Sequence, residues 1–336
     1  MNDTPLRFGL IGTGRIGQVH AANIAADPEA VLAWVCDPFV EGAEAVSARH
    51  GGTVTTDAAE MFASGGIDAV LIASPTATHV DLLGAALDAG VPALCEKPID
   101  LDIVRVDALR AKVAAAGVPV ALGFNRRFDP SFATARARVA AGEIGTLEQL
   151  TIISRDPSAP PPEYVAVSGG IFRDMTIHDF DMARFFLPEI VEVSAVGTTT
   201  FDPGAREHGD FDTAVTTLRA ASGAVVTIVN SRHSAVGYDQ RLEAFGGQGM
   251  LQVANAPSSL VSLSTADAVE ATPPYERFFL ERYAVAYAAE LHEFIKLARG
   301  EASTSPTFED GRAALVLADA AQRSATERVI VAVDLG

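Results

Sequence analysis

Leu6-Arg-Phe-Gly-Leu-Ile11 runs directly into Gly12-Thr13-Gly14-Arg15-Ile16-Gly17, and the reading of this stretch decides the fold of the N-terminal half. Its first part is an apolar run of strand length, and a helical pattern follows from about Arg15 to Ala26. Three glycines at this spacing between a strand and a helix form the dinucleotide-binding fingerprint. Gly12 permits the tight turn, Gly14 lets the backbone approach a pyrophosphate, and Gly17 lets helix and strand pack closely. Amide groups at the helix start then bind the phosphates. By itself the glycine pattern is weak evidence, because glycine-rich chains produce it by chance.

The second strand makes it strong. Ala30-Val-Leu-Ala-Trp-Val-Cys-Asp37 is a continuous apolar run ending in an acid about 20 residues past the last glycine, where a ribose-binding carboxylate belongs. Asp37 is expected to accept hydrogen bonds from both adenosine ribose hydroxyls and to repel a 2′-phosphate. Pro38 follows it, with no arginine to hold such a phosphate, so NAD is favoured over NADP. Strand-like runs at 68–73, 91–95 and 118–123 then alternate with helical patterns. Such alternation implies an α/β Rossmann domain, a doubly wound parallel sheet whose ligands bind at the strands' carboxyl ends. Ser74, Thr76, His79, Glu96 and Lys97 fall at these ends and are candidate cofactor contacts. The alternation stops at Gly123, placing an NAD-binding domain at 1–123 and a second domain at 124–336.

Composition bounds the function. At 336 residues, two domains are the default. A formal net charge of −18 argues against nucleic acid and anionic membrane as partners, which need basic surfaces, and suits a small-molecule substrate. The two cysteines, Cys36 and Cys95, lie in apolar runs and read as small buried hydrophobes. No secretory leader pattern and no apolar run of transmembrane length is present, so the cytoplasm is the simplest location.

Beyond 123 the pattern changes. A helix at about 130–141 leads to strand-like runs at 146–154, 191–200, 213–220, 224–233, 240–245 and 250–254, some joined by glycine turns. Short turns between strands imply a mostly antiparallel, open-faced sheet in an α+β domain. Val225-Val-Thr-Ile-Val229 and Val191-Glu-Val-Ser-Ala-Val196 are too apolar to leave in water, so assembly through this sheet is expected. Two amphipathic helices, at about 276–299 and 308–323, close the chain.

The chemistry concentrates in Arg173-Asp174-Met-Thr-Ile-His178-Asp-Phe-Asp181. A helix starting near Arg173 places Asp174, His178 and Asp181 at i, i+4 and i+7, on one face. Acids do favour a first helical turn, but that accounts only for Asp174. Two carboxylates and an imidazole make a costly core face and a natural acid–base site. Met175, Ile177, Phe180 and Met182 are expected to anchor this helix in the core.

Together, Gly12-Thr-Gly-Arg-Ile-Gly17, Glu96-Lys97-Pro98, Gly123-Phe-Asn-Arg-Arg-Phe128 and Asp174-Met-Thr-Ile-His178-Asp-Phe-Asp resemble the Gfo/Idh/MocA oxidoreductase family. Within it, the last motif, Ser154-Arg-Asp-Pro157 and Gly237-Tyr-Asp-Gln240 are most like the inositol 2-dehydrogenases. The resemblance spans essentially the whole chain. It implies Lys97, Asp174 and His178 as the catalytic set, Arg127 and Tyr238 lining the substrate or nicotinamide pocket, and Asp181 as a substrate-side carboxylate. One departure is that the loop from Ser154 to Pro162 lacks histidine and asparagine contacts of some inositol enzymes; Arg155 and Asp156 stand there instead.

The reaction so implied is NAD-dependent oxidation of a secondary alcohol of a cyclic polyol, foremost myo-inositol to its 2-keto product. His178 is the expected general base, Asp174 orients it, and Lys97 stabilises alkoxide charge or serves as the base itself. Arg127, Asp156, Asp181 and Tyr238 bind the other hydroxyls. The rival readings are a dehydrogenase of scyllo-inositol or another sugar, and a non-catalytic NAD-binding sensor on the same scaffold. A metal site at Asp174, His178 and Asp181 is disfavoured, since no other His or Cys falls at ligand spacing.

Overall fold

The computed structural model describes residues 4–336. Strands β1 (Leu6–Ile11), β2 (Ala30–Cys36), β3 (Thr53–Thr55), β4 (Ala69–Ile72), β5 (Ala93–Cys95) and β6 (Val120–Leu122) form one six-stranded sheet. Their order is β3-β2-β1-β4-β5-β6 and every pairing is parallel. All four residues of β4 are buried, as a strand covered by helices on both faces must be. The intervening helices are α1 (Arg15–Ala26), α2 (Val40–His50), α3 (Ala58–Ala63), α4 (His79–Asp88) and α5 (Ile103–Ala116). The segment holding α2, β3 and α3 had no assignment from sequence. Its three-residue strand and six-residue helix are too short to show a period. The strand order reverses between β1 and β4, and Gly12 and Ser74 follow those two strands at this crevice.

The second sheet has seven strands: β7 (Leu147–Arg155), β8 (Ile190–Thr198), β9 (Thr213–Ala220), β10 (Val225–Ser231), β11 (Asp239–Gly246), β12 (Gly249–Val253) and β13 (Val331–Ala332). Their order is β12-β11-β7-β10-β9-β8-β13, antiparallel except for the β7–β10 pair. Alternation along β9 buries Ala214, Thr216, Leu218 and Ala220 and turns the residues between them outward. The outward face carries Val196, Val215, Val225, Phe245 and Met250, all exposed. The helices here are α6 (Pro130–Ala140), α7 (Pro162–Ser168), α8 (Gly170–Asp174), α9 (Ile177–Phe186), α10 (Pro203–Glu207) and α11 (Phe279–Arg282). The chain closes with α12 (Ala284–Ala298) and α13 (Phe308–Glu327), ahead of β13.

The compact units divide differently from a single boundary at Gly123. One comprises the described residues through Phe128 with Val285–Arg312; the other comprises Asp129–Ala284 with Ala313–Gly336. The reason lies in α12, whose Leu291, Phe294 and Ile295 join Phe8, Leu10, Leu32 and Leu71 in one buried core. The Phe294 ring meets Phe8 edge-on, 6.1 Å between centroids. Burying each such side chain is worth about 1.5–3 kcal/mol. Amphipathic spacing shows that a helix has an apolar face, not which core receives it. The expected helix from 276 to 299 is also interrupted: Tyr283, with φ −115° and ψ 17°, separates α11 from α12.

Candidate active site

The glycine loop has the shape of a dinucleotide cradle. Gly12 has φ +95°, and a Cβ there would stand 2.6 Å from the Ala73 backbone. A Cβ on Gly17 would overlap the Gly12 carbonyl oxygen, so helix–strand contact excludes any side chain. Gly14 differs: no atom lies within 4 Å of where its Cβ would be. It is the N-cap of α1 and makes no side-chain hydrogen bond, and the positive end of the helix dipole there suits an anion. Thr13 is buried, Ile16 is half-buried and Arg15 is exposed.

Asp37 supports the glycine loop. Its Oδ2 accepts from Thr13 N (2.8 Å) and Thr13 Oγ1 (2.7 Å), and its Oδ1 accepts from Phe39 N (2.9 Å). A carboxylate offers about four acceptor sites. These three bonds leave one acceptor site at Oδ1.

Among the other residues assigned to the cofactor, Ser74 and Thr76 are half-buried at the end of β4, and Ser74 Oγ lies 2.7 Å from Thr78 Oγ1. His79 is almost fully buried, with Nδ1 2.8 Å from the Pro98 carbonyl and Nε2 2.8 Å from the Ser74 carbonyl. It staples the Ser74 turn to the loop after Lys97, a scaffold position in place of a surface facing the ligand. Glu96 is held from α1, with His20 Nε2 2.8 Å from its Oε1. Lys97 follows β5, half-buried, and its peptide bond to Pro98 is cis. Arg127 pairs with Asp310 at 3.1 Å.

Asp174 and His178 fall on two helices, which corrects the single helix expected from Arg173. Met175 N and Thr176 N both donate to the Ile171 carbonyl (3.0 and 2.9 Å), and His178 N donates to Met175 O (3.3 Å). The regular i to i−4 ladder is thereby broken, and α9 restarts at Ile177. A buried polar network holds this joint. Thr176 Oγ1 donates to Asn230 Oδ1 (2.9 Å), Asn230 Nδ2 donates to Asp179 Oδ2 (2.7 Å), and Ser154 Oγ donates to Asp179 Oδ1 (2.6 Å). Ser154, Asn230 and Gln240 share one row across β10, β7 and β11. Asp179, fully buried, also sits in the first turn of α9, where the helix dipole favours an anion. Met175, Ile177, Phe180 and Met182 are buried as anchors.

The Asp174 carboxylate is held by two residues that local sequence reading passed over. Tyr164, on α7, donates its hydroxyl to Oδ1 (2.8 Å), and Arg232 Nη1 donates to Oδ2 (3.1 Å). Arg232 is 1% exposed, and its Nη2 lies 3.5 Å from Asp210 Oδ2. Burial opposes the Arg232 charge, but Asp174 and Asp210 outweigh it and its pKa is raised. Burial around the Tyr164 hydroxyl, then the Asp174 charge, pushes that phenol upward, so it stays a donor.

His178 is half-buried on α9, whereas Asp181 is 1% exposed, so the three do not form one open stripe. Tyr238, at the start of β11, is 4% exposed and meets Phe278 and Tyr283 edge-on. Asp156 is half-buried after β7, and its charge reaches both Tyr164 and Arg232. Arg155 is tied to Asp239 at 2.7 Å. For Ser154 and Asn230 a signal existed: both are polar at inward positions of alternating strands. Arg232, distant in sequence from Asp174, gave none.

With the geometry in place, comparison with known proteins decides the family. An oxidoreductase family model with an NAD-binding Rossmann fold matches residues 6–124, and that of the GFO/IDH/MocA C-terminal domain matches residues 132–252. The chain belongs to the Gfo/Idh/MocA oxidoreductase family. This Gfo/Idh/MocA protein is thus an NAD-binding oxidoreductase. It is 46% identical to the inositol 2-dehydrogenase of Rhizobium meliloti (strain 1021) over 325 residues, 96% of this chain and 98% of that one. It is similar to the crystal structure of a myo-inositol dehydrogenase from Corynebacterium glutamicum ATCC 13032, with TM-score 0.95 and 52% identity over 98% and 99% of the two chains. It is also similar to the scyllo-inositol dehydrogenase of Lactobacillus casei with bound NAD(H) and scyllo-inositol, with TM-score 0.90 and 31% identity over 98% and 99%.

Proposed function

We propose that this chain oxidises one secondary alcohol of a cyclic polyol, myo-inositol at carbon 2 being its substrate. The observation that carries the proposal is the Asp174 carboxylate, clasped by Tyr164 and Arg232 and followed one turn later by a half-buried imidazole. Bound NAD⁺ supplies the hydride acceptor, in the cradle of Gly12, Gly14 and Gly17 with Asp37 at the ribose. As hydride leaves the alcohol carbon, the hydroxyl proton must leave with it. His178 accepts that proton, and the Asp174 charge stabilises the imidazolium that forms. Lys97 bonds the reacting oxygen and stabilises its developing negative charge. Arg127, Asp156, Asp181 and Tyr238 bind the remaining hydroxyls, because a polyol needs donors and acceptors at fixed positions.

The 52% identity to the Corynebacterium glutamicum myo-inositol dehydrogenase, against 31% to the Lactobacillus casei scyllo-inositol dehydrogenase, supports the choice of isomer. The exposed apolar residues Val196, Val215, Val225, Phe245 and Met250 on one face of the second sheet support assembly into a homodimer or homotetramer through it. Among the described residues no helix is long and apolar enough to cross a membrane. The reaction needs only diffusible reactants, and we assign it to the cytoplasm. Initial rates of NADH formation with myo-inositol, scyllo-inositol and glucose test the substrate, each with NAD⁺ and NADP⁺. The largest kcat/KM is expected for myo-inositol with NAD⁺. A preference for glucose removes the substrate, and a preference for NADP⁺ removes the role given to Asp37.

A further inference from the structure

The short helix that ends at Asp174 cannot aim that carboxylate by itself. α8 has five residues, far below the length at which a helix holds its own shape. Both of its ends are fixed from outside, the first by Asp210 and the last by Arg232. At the start, Asp210 Oδ1 accepts from Ile171 N (2.9 Å) while Asp210 Oδ2 faces Arg232 Nη2. At the other end, Arg232 Nη1 donates to Asp174 Oδ2. The guanidinium thus lies between the carboxylate that holds the first turn and the carboxylate on the last residue. The second Asp174 oxygen is fixed by Tyr164 from α7.

We infer that Arg232 and Tyr164 are positioning residues that fix the direction of the Asp174 carboxylate for proton transfer. The inference rests on the catalytic role given to Asp174 above. Burying an arginine is costly unless it is paired, and Asp210 alone would balance its charge. A second carboxylate on the same guanidinium adds orientation. Asp174 is also the more open of the two: its side chain is 15% exposed, against 5% for Asp210. The cluster thus has a closed end, made of Arg232 and Asp210, and an open end at Asp174. Asp156 adds a third negative charge nearby, and the Arg232 backbone N–H is engaged by the Asp212 carbonyl at 2.8 Å. A planar fork with fixed N–H directions suits this task, and a lysine point charge does not.

The test is a set of double-mutant cycles on the whole chain, read as kcat and KM for myo-inositol with NAD⁺, alongside thermal melting. The single variants are Asp174→Asn, Tyr164→Phe, Arg232→Lys and Arg232→Met; the last three are repeated in the Asp174→Asn background. Arg232→Met should lower kcat about 10²-fold, the usual effect of a misplaced group. Arg232→Lys should recover only part of that loss, and Tyr164→Phe should cost about tenfold, one charge-assisted hydrogen bond. In the Asp174→Asn background each effect should shrink to less than about twofold, because residues acting as a unit are not additive. Undiminished effects in that background, or a parent-like kcat for Tyr164→Phe, overturn the inference while leaving Asp174 catalytic. A parent-like rate for Asp174→Asn alone overturns the catalytic role itself. Should Arg232→Met fail to fold, Tyr164→Phe still decides, since Tyr164 as a residue is 47% exposed and loses only its hydroxyl.

Discussion

The glycine loop and the Asp174 joint are built in opposite ways. The loop is made from consecutive residues, and its shape lies in the backbone: a turn at Gly12, open space at Gly14, contact at Gly17. The joint is made from side chains that arrive from α7, β7, β10 and the loop before β9, and its backbone alone would not hold. A site of the first kind fails when one atom is added to it. A site of the second kind fails when one partner is removed, because a buried charge or dipole is left unsatisfied.

The largest expected effect lies at the joint. His178→Ala should reduce turnover roughly 10²–10⁴-fold if the imidazole is the base; a near-parent rate moves that role to Lys97. Next, two of the loop glycines, Gly17 and Gly14, should separate. Gly17→Ala forces a Cβ into the Gly12 carbonyl and should cost about 1–3 kcal/mol of stability in urea titrations, as overpacking does. Gly14→Ala meets no protein atom, so stability should stay within about 0.5 kcal/mol. The same change should weaken NADH binding, measured by fluorescence titration. Equal losses of stability for the two variants would erase the distinction between packing and cofactor glycines.

At the joint, Asn230→Leu removes one donor from the buried Asp179 carboxylate and should destabilise the chain by about 1–3 kcal/mol. The smallest effect concerns the thiols. Burial, then the neighbouring Asp37 charge, pushes the Cys36 thiol up to about 11, and burial holds Cys95 well above its ordinary range. The thiolate is the reactive form, so iodoacetamide at about pH 8 should leave both residues and the activity untouched. Rapid alkylation with loss of NADH binding would contradict the packing beside Asp37.

This difference in construction also sets what the sequence could disclose. The parallel sheet, its glycine turn and Asp37 were legible because each rests on periodicity or on neighbours in sequence. Five of the six first-sheet strands and all the second-sheet strands except β13 fall where apolar runs placed them. The break at Met175 and Thr176 was not legible, because it depends on Asn230 and Asp210, more than thirty residues away. Nor was the place of α12, whose apolar face reads alike whichever core receives it. His79 shows the same limit: the sequence places it after a strand end, and only the fold brings its ring nitrogens to the Pro98 and Ser74 carbonyls. Tyr164 and Arg232 belong to segments with no motif, and only the folded chain brings them to Asp174.

Hydride transfer from a defined carbon is the claim on which the rest depends. Reaction of myo-inositol deuterated at carbon 2 with NAD⁺, followed by mass spectrometry of the reduced cofactor, tests it directly. Deuterium is predicted in the reduced cofactor, with its formation lost in His178→Ala. Unlabelled NADH, or no reduction of NAD⁺ with this substrate, would contradict the account.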